Sequence, residues 1–354
     1  MSKLFASVFS MEEFNSLDSL GSVLAREYND LLYHVKKDEE KVNSLPDSEK
    51  YFVFSWKNKK EVQEITLPLT SKEQSTISPD DDEENSQVTC IRFQSITANI
   101  EYSKRKRKDD DDNFLPKADR LNTIEIEVVF FEKNSKVFVL ILSSNLYHID
   151  RVKQLIGTDK IQENSSEYSL ESDVFNWLIY VYDEKIGELS DSLKLNNVNG
   201  FVGNVTDDAN VFSGSSQKTT ELIVTKAFIS NGGELKKIGI RISNDEASVT
   251  CMVNERSVVA IDCRESKKLR ILDSLDTSLF LLLYFYGYLI VEIKSLYEAD
   301  SESFNDHERF KFSKKIGIEV INSIIEKNKI EVTDIILFNQ ENGKKIILED
   351  RISI

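Results

Sequence analysis

The chain is poor in the residues that build reactive sites. Its 354 residues hold three cysteines, three histidines and four prolines. Cys90, Cys251 and Cys263 are odd in number and lack metal-ligand spacing. That argues against a disulfide framework or a zinc site and suits a reduced, cytoplasmic compartment. His34, His148 and His307 lie far apart, with no His-x-His or His-Glu-x-x-His pairing, so no metal site is written locally. The first residues, MSKLFASVFSMEEFNS, lack a long apolar stretch and a cleavage site, so no signal peptide is expected. The longest apolar run, Leu279 to Val291, is shorter than the roughly 20 residues of a membrane span, and no membrane is expected. Positive charge is also scarce. Lys and Arg number 45 against 61 Asp and Glu, a net charge of −16. Such a chain repels nucleic acid and anionic membranes unless a local basic patch overrides the field.

Proline disappears after Pro116, which suits long regular elements in the rest of the chain. The pattern predicts an α+β protein of two domains, each an antiparallel sheet with packed helices. The first spans 1–158. Leu17, Leu20, Leu24, Tyr28, Leu31 and Val35 recur at helical spacing and predict an opening helix. YFVFSW and VQEITLPL predict a hairpin turning at 57–60, and VTCIRFQSITANIEY a further strand. An acidic insertion near 70–86 and a charged loop at 103–118 are expected to be disordered. The run NTIEIEVVFFEKNSKVFVLILSSN predicts a strong hairpin, followed by a short helix to Gly157. Helices are expected on one face of this sheet. The second domain, 171–354, opens on the helix DVFNWLIYVYDEKIG. It continues with a turn at Gly200-Phe-Val-Gly203, a helix ending at Gly232, and a meander of three strands over 236–263. A long buried helix at 277–298, a helix KKIGIEVINSIIEKN and a hairpin turning at Asn342-Gly343 complete it.

One stretch invites a catalytic reading. VEIKS ends the apolar run, and Glu-x-Lys on a strand, with an upstream Asp, is a Mg-dependent nuclease arrangement. Asp262 or Asp276 would supply the second ligand to Glu292, and Lys294 would act on phosphate. The spacing favours a helix instead, because Leu279, Leu283, Tyr286, Ile290, Ile293 and Tyr297 form one stripe. On a helix, Glu292 and Lys294 lie roughly 200° apart and cannot share a metal. No cofactor is therefore expected, Mg being the alternative. SGSSQKTTE resembles a phosphate loop before a helix, with Gly214, Lys218 and Thr219 as anion-binding candidates. It lacks the adjacent Gly-Lys of an intact loop. The KRKRK run at 104–108 suggests a nuclear-import signal or a phosphate-contacting patch, but Asp109 to Asp112 follow at once and neutralise most of it, so a solvated loop is expected.

A second basic cluster lies on or near the meander: Lys236, Lys237, Arg241, Arg264, Lys267, Lys268 and Arg270. If these face one way, nucleic acid or an acidic protein has a local landing site. Tyr284, Phe285 and Tyr288 sit off the stripe of the 277–298 helix and make it apolar nearly all round. Such a helix is buried centrally or against a partner. The expectation is a non-catalytic interaction or scaffold subunit of a cytosolic assembly, with another protein subunit as partner. Richness in Lys, Asn and Ile suggests an AT-rich genome, and motif-free chains of this size often belong to microbial multi-gene systems, antiviral defence included. The nucleic-acid-processing enzyme is the alternative.

Overall fold

The computed structural model describes residues 3–74, 88–163, 165–204, 211–215, 223–269 and 275–341. Stretches rich in Val, Ile and Phe extend as strands, since β-branched and aromatic side chains favour a pleated, half-buried surface. In chain order they are β1 (Lys3–Met11), β2 (Tyr28–Leu31), β3 (Tyr51–Lys57), β4 (Gln63–Pro68), β5 (Val88–Ser103), β6 (Leu121–Lys133) and β7 (Lys136–Ile141). The second half adds β8 (Lys194–Asn204), β9 (Val211–Ser215), β10 (Glu234–Ser243), β11 (Ala247–Asn254), β12 (Val259–Asp262) and β13 (Lys267–Lys268). The helices that matter below are α1 (Ser71–Gln74), α2 (Leu146–Ile156), α3 (Ser172–Glu184), α4 (Ile223–Ser230), α5 (Thr277–Asn328) and α6 (Val332–Glu341). The fold is α+β, and the sheet is antiparallel with order β2-β3-β5-β6-β7-β1-β12-β11-β10-β8-β9.

β1 joins the two halves. Its Lys3 to Ala6 pair with β12, and its Ser7 to Met11 pair with β7. One strand thus serves both sheets, end to end. The first sheet is covered on both faces, not on one. Phe54, Ile96, Ile126 and Phe130 pack with Ile149, Val152 and Leu155 of α2. On the other face Phe93, Val129, Phe131 and Phe138 join one cluster with α3, α5 and the inner face of the second sheet. The sequence carries the reason: alternation stops at Glu127, and Val128 to Phe131 run continuously apolar.

Several expectations need correction. The stripe over 17–35 is not a helix: short helical turns at Leu17–Leu20 and Gly21–Leu24 precede strand β2. Tyr28 to Leu31 pair instead with the backbone that β3 offers at the sheet edge. β3 and β4 do not pair as a hairpin. β5 is 16 residues long and takes both in tandem, β4 along Val88 to Phe93 and β3 along Thr97 to Ile100. Gly200 to Gly203 form no turn but lie in β8, paired with β10. The charged loop 103–118 is folded, with Leu115 N donating to the Arg107 carbonyl at 2.9 Å and Lys104 N to that of Arg120 at 2.6 Å. Residues 75–86 of the acidic insertion lie outside the described residues.

Asp276 caps α5, its carboxylate accepting from Ser278 N at 2.9 Å and Leu279 N at 3.3 Å. Two π-helical segments, Phe285–Leu289 and Phe304–Glu308, interrupt α5. Residues from Phe280 to Ile290 are buried without a break, each large side chain contributing about 1.5–3 kcal/mol. α5 is long and apolar enough to cross a membrane by length and composition, yet 72% of its apolar window is buried inside the protein. Lys329 stops it in a left-handed conformation, with Ile330 N donating to the Ile325 carbonyl at 3.0 Å. Helix α6 follows where a strand was expected. The Asp334 carboxylate accepts from Glu331 N at 2.8 Å, half of a capping box, and starts it as a helix. The Asn342-Gly343 turn lies outside the described residues.

Candidate functional site

The acidic and basic residues of the nuclease reading are tied to separate places. Glu292 is buried on α5 and accepts from Ser71 N at 2.7 Å and from the Ser71 hydroxyl at 2.5 Å. It fixes the start of α1. Lys294 turns elsewhere and donates to the Ser166 carbonyl. Asp262 accepts from Arg264 N at 2.9 Å and from Glu265 N at 3.3 Å in the turn after β12. Asp276 is the α5 cap. It also lines a cavity of about 430 Å³, beside Lys60, Glu127 and Ser95. The Ser95 hydroxyl is buried there with no hydrogen-bond partner among the described residues. Among the described residues no cluster of three or more potential metal ligands forms.

Next to Glu292 lies a second buried charge. Lys133, at the end of β6, donates to the Gly287 carbonyl at 2.6 Å and pairs with Glu73 at 3.2 Å. Glu73 also accepts from Thr70 N at 2.8 Å and the Thr70 hydroxyl at 2.9 Å. Burial alone pushes the Glu73 carboxyl up, but the Thr70 donors and Lys133 more than offset it, holding the group below its ordinary value. Gly287 lets this happen: a Cβ there would sit 2.5 Å from Ile91 Cδ1 and 2.7 Å from Leu67 Cδ1. The charges at this junction hold α1, β6 and α5 together.

The other predicted groups separate as follows. Gly214 lies in β9, opposite Phe201, whereas Lys218 and Thr219 are outside the described residues. Arg241, Arg264 and Lys267 line one open pocket of about 610 Å³. Glu265 sits among them and pairs with Arg241 at 2.8 Å. Lys236 is held by Glu255 at 3.2 Å and Glu234 at 3.3 Å, and Lys237 is exposed on the same strand. Lys268 stacks over the Phe280 ring at 4.9 Å. Arg270 lies outside the described residues. Three of the seven cations therefore share a surface.

Tyr284, Phe285 and Tyr288 are buried, with exposures of 1%, 0% and 3%. They are core, not a free interface. Burial pushes the Tyr288 hydroxyl up to about 12. The exposed apolar surface lies farther along. Ile318, Ile321 and Ile324 of α5 and Val332, Ile335, Ile336, Leu337 and Phe338 of α6 are exposed, Ile321 to 56% and Phe338 to 60%. The three α5 residues fall within one arc of roughly 120°. Their spacing was legible, but the helical reading of α6 was not.

No family model and no curated protein matches the chain. Among solved structures, it is similar over 90% of its length to the di-domain ARO/CYC StfQ from the steffimycin biosynthetic pathway, 99% of which is covered. Identity is 9% and the TM-score 0.15, and at that score the likeness carries no argument.

Proposed function

We propose that the chain is a non-catalytic interaction subunit of a cytosolic protein assembly, docking through the exposed apolar face of α5 and α6. The observation that carries this reading is that the aliphatic side chains of Ile318, Ile321 and Ile324 and of Val332, Ile335 and Leu337 are exposed on two successive helices. Contiguous exposed apolar residues on a folded chain mark a contact surface. The occupant is a protein that presents an apolar helical stripe, as in helix-in-groove recognition. The rim favours a protein over a lipid surface. It mixes Lys314, Lys327 and Lys329 with Glu326, Glu331 and Asp334, all exposed, whereas helices that lie on anionic membranes carry a basic flank.

The test is tagged purification from native cells with nuclease treatment, comparing wild type with the double variant Ile321→Glu/Leu337→Glu. A stoichiometric protein that survives nuclease and is lost in the variant supports the reading, provided the variant keeps the wild-type Tm. A partner retained by the variant, a partner lost to nuclease, or a chain that purifies alone overturns it.

A further inference from the structure

The KRKRK run looks neutral in sequence, and the fold changes that balance. The β5–β6 connection is a folded loop in which two of the four aspartates, Asp109 and Asp112, are engaged locally, while Asp110 and Asp111 are exposed. Asp109 accepts from Asp111 N at 3.0 Å and Asn113 N at 2.8 Å, closing its own turn. Asp112 pairs with Lys108 at 2.8 Å, Lys41 at 3.4 Å and Lys37 at 3.9 Å. Asp38 takes the other side of Lys108 at 2.8 Å. Arg105, Lys106 and Arg107 are left with no ion pair among the described residues. Among the described residues Arg107 is held by neutral groups: it donates to the Tyr33 carbonyl at 2.9 Å and lies 5.0 Å from the Tyr33 ring centre.

Arg105, Lys106 and Arg107, with Tyr33, His34, Phe114 and the Lys108–Asp38 ion pair, line an open pocket of about 330 Å³. Tyr33 is 70% exposed beside it. The His34 Nδ1 lies 3.0 Å from the Leu32 carbonyl, which fixes the ring and leaves Nε2 for a ligand. Three cations without an ion pair among the described residues, next to an exposed aromatic ring, combine anion binding with stacking. The volume is at the lower end of the roughly 300–1,000 Å³ of small-ligand sites. A long polyanion meets the field of a chain with net charge −16, but a small ligand with a few charges feels mainly the charges within a Debye length, about 8 Å at physiological salt, and the pocket lining holds four cations against the one carboxylate of Asp38.

From this juxtaposition we infer that the pocket between Tyr33 and residues 105–107 binds a nucleoside phosphate. Arg105, Lys106 and Arg107 hold the phosphate, and the base stacks on Tyr33. The site is independent of the α5–α6 face.

Calorimetric titration of the full chain with AMP, ADP and inorganic pyrophosphate tests this. Saturable one-to-one binding of ADP that weakens with salt is expected. Arg105→Ala/Lys106→Ala should lower affinity by more than about tenfold for nucleotide and pyrophosphate alike. Tyr33→Ala should weaken the nucleotides and spare pyrophosphate. All three side chains are exposed at the rim, so an unchanged Tm is the folding control. Absence of saturable binding by any of the three probes overturns the inference. So does undiminished ADP binding in the double variant, or undiminished nucleotide binding in Tyr33→Ala. A single-stranded oligonucleotide binding more than about tenfold tighter than ADP through the same residues would replace it with a nucleic-acid surface.

Discussion

At the scale of single residues, Glu292 and Lys294 show how one motif splits into two unrelated tasks. Glu292→Ala removes a buried carboxylate that accepts two hydrogen bonds from Ser71 and should cost about 1–3 kcal/mol. Lys294→Ala removes one partly exposed hydrogen bond and should change stability by no more than about 0.5–1 kcal/mol. Urea unfolding of the two variants checks the contrast. A nuclease pair would instead leave both folds intact and lose cleavage in both. Glu73 supplies a pH dependence. Its folded pKa lies below the ordinary value of 4.5, so its contribution is present above pH 4.5. It is lost as pH falls through the folded pKa. Unfolding curves from pH 7 to 3 should show this acid loss, and Lys133→Met, which removes the partner, should flatten it while lowering stability at neutral pH.

At the scale of elements, the aromatic run of α5 is the clearest case. Its helical period was legible in sequence, and so was its all-round apolarity. What remained open was whether protein core or a partner covers it, because that depends on distant strands. Phe285→Ser should therefore unfold the monomer, and a melt of the purified variant checks it; a folded monomer would mean the site is less packed than 0% exposure implies. A loop carries a comparable constraint. Gly187, at φ +75, has the Leu195 carbonyl oxygen 2.1 Å from where a Cβ would stand. Gly187→Ala should cost more than about 1 kcal/mol in the same assay. Other elements were hidden for physical reasons. Tyr28 to Leu31 fit a helical stripe, and an open strand edge decided otherwise. The β3 and β4 segments read as a hairpin because nothing local announces that β5 is long enough for both. Residues 332–338 alternate weakly enough to suit either state, and a capping carboxylate tipped them. The loop at 103–118 looked unstructured because its ion partners, Asp38 and Lys41, are far away in sequence. The meander, the β6–β7 hairpin and helices α2 and α3 were visible because their periods and turn residues are local.

At the scale of the whole molecule, the two halves share one apolar cluster and one strand. Trp56 stands in the first sheet and Trp177 in α3, so each half carries its own fluorophore. Melts of Trp56→Phe and Trp177→Phe, each followed by the remaining tryptophan, should coincide with one another and with circular dichroism. Two separated transitions would show halves that unfold independently.

The placement of β1 has a consequence for biosynthesis. β1 leaves the ribosome well before β12, which lies about 250 residues further along the chain. Until then half of its backbone hydrogen bonds have no partner in the nascent chain. Contacts of such sequence separation close slowly, and an apolar strand with an open edge is a target for wrong pairing meanwhile. Holding β1 safely during translation is then a task for a chaperone that binds extended apolar segments, and yield in a cell should depend more on that supply than on the stability of the finished protein.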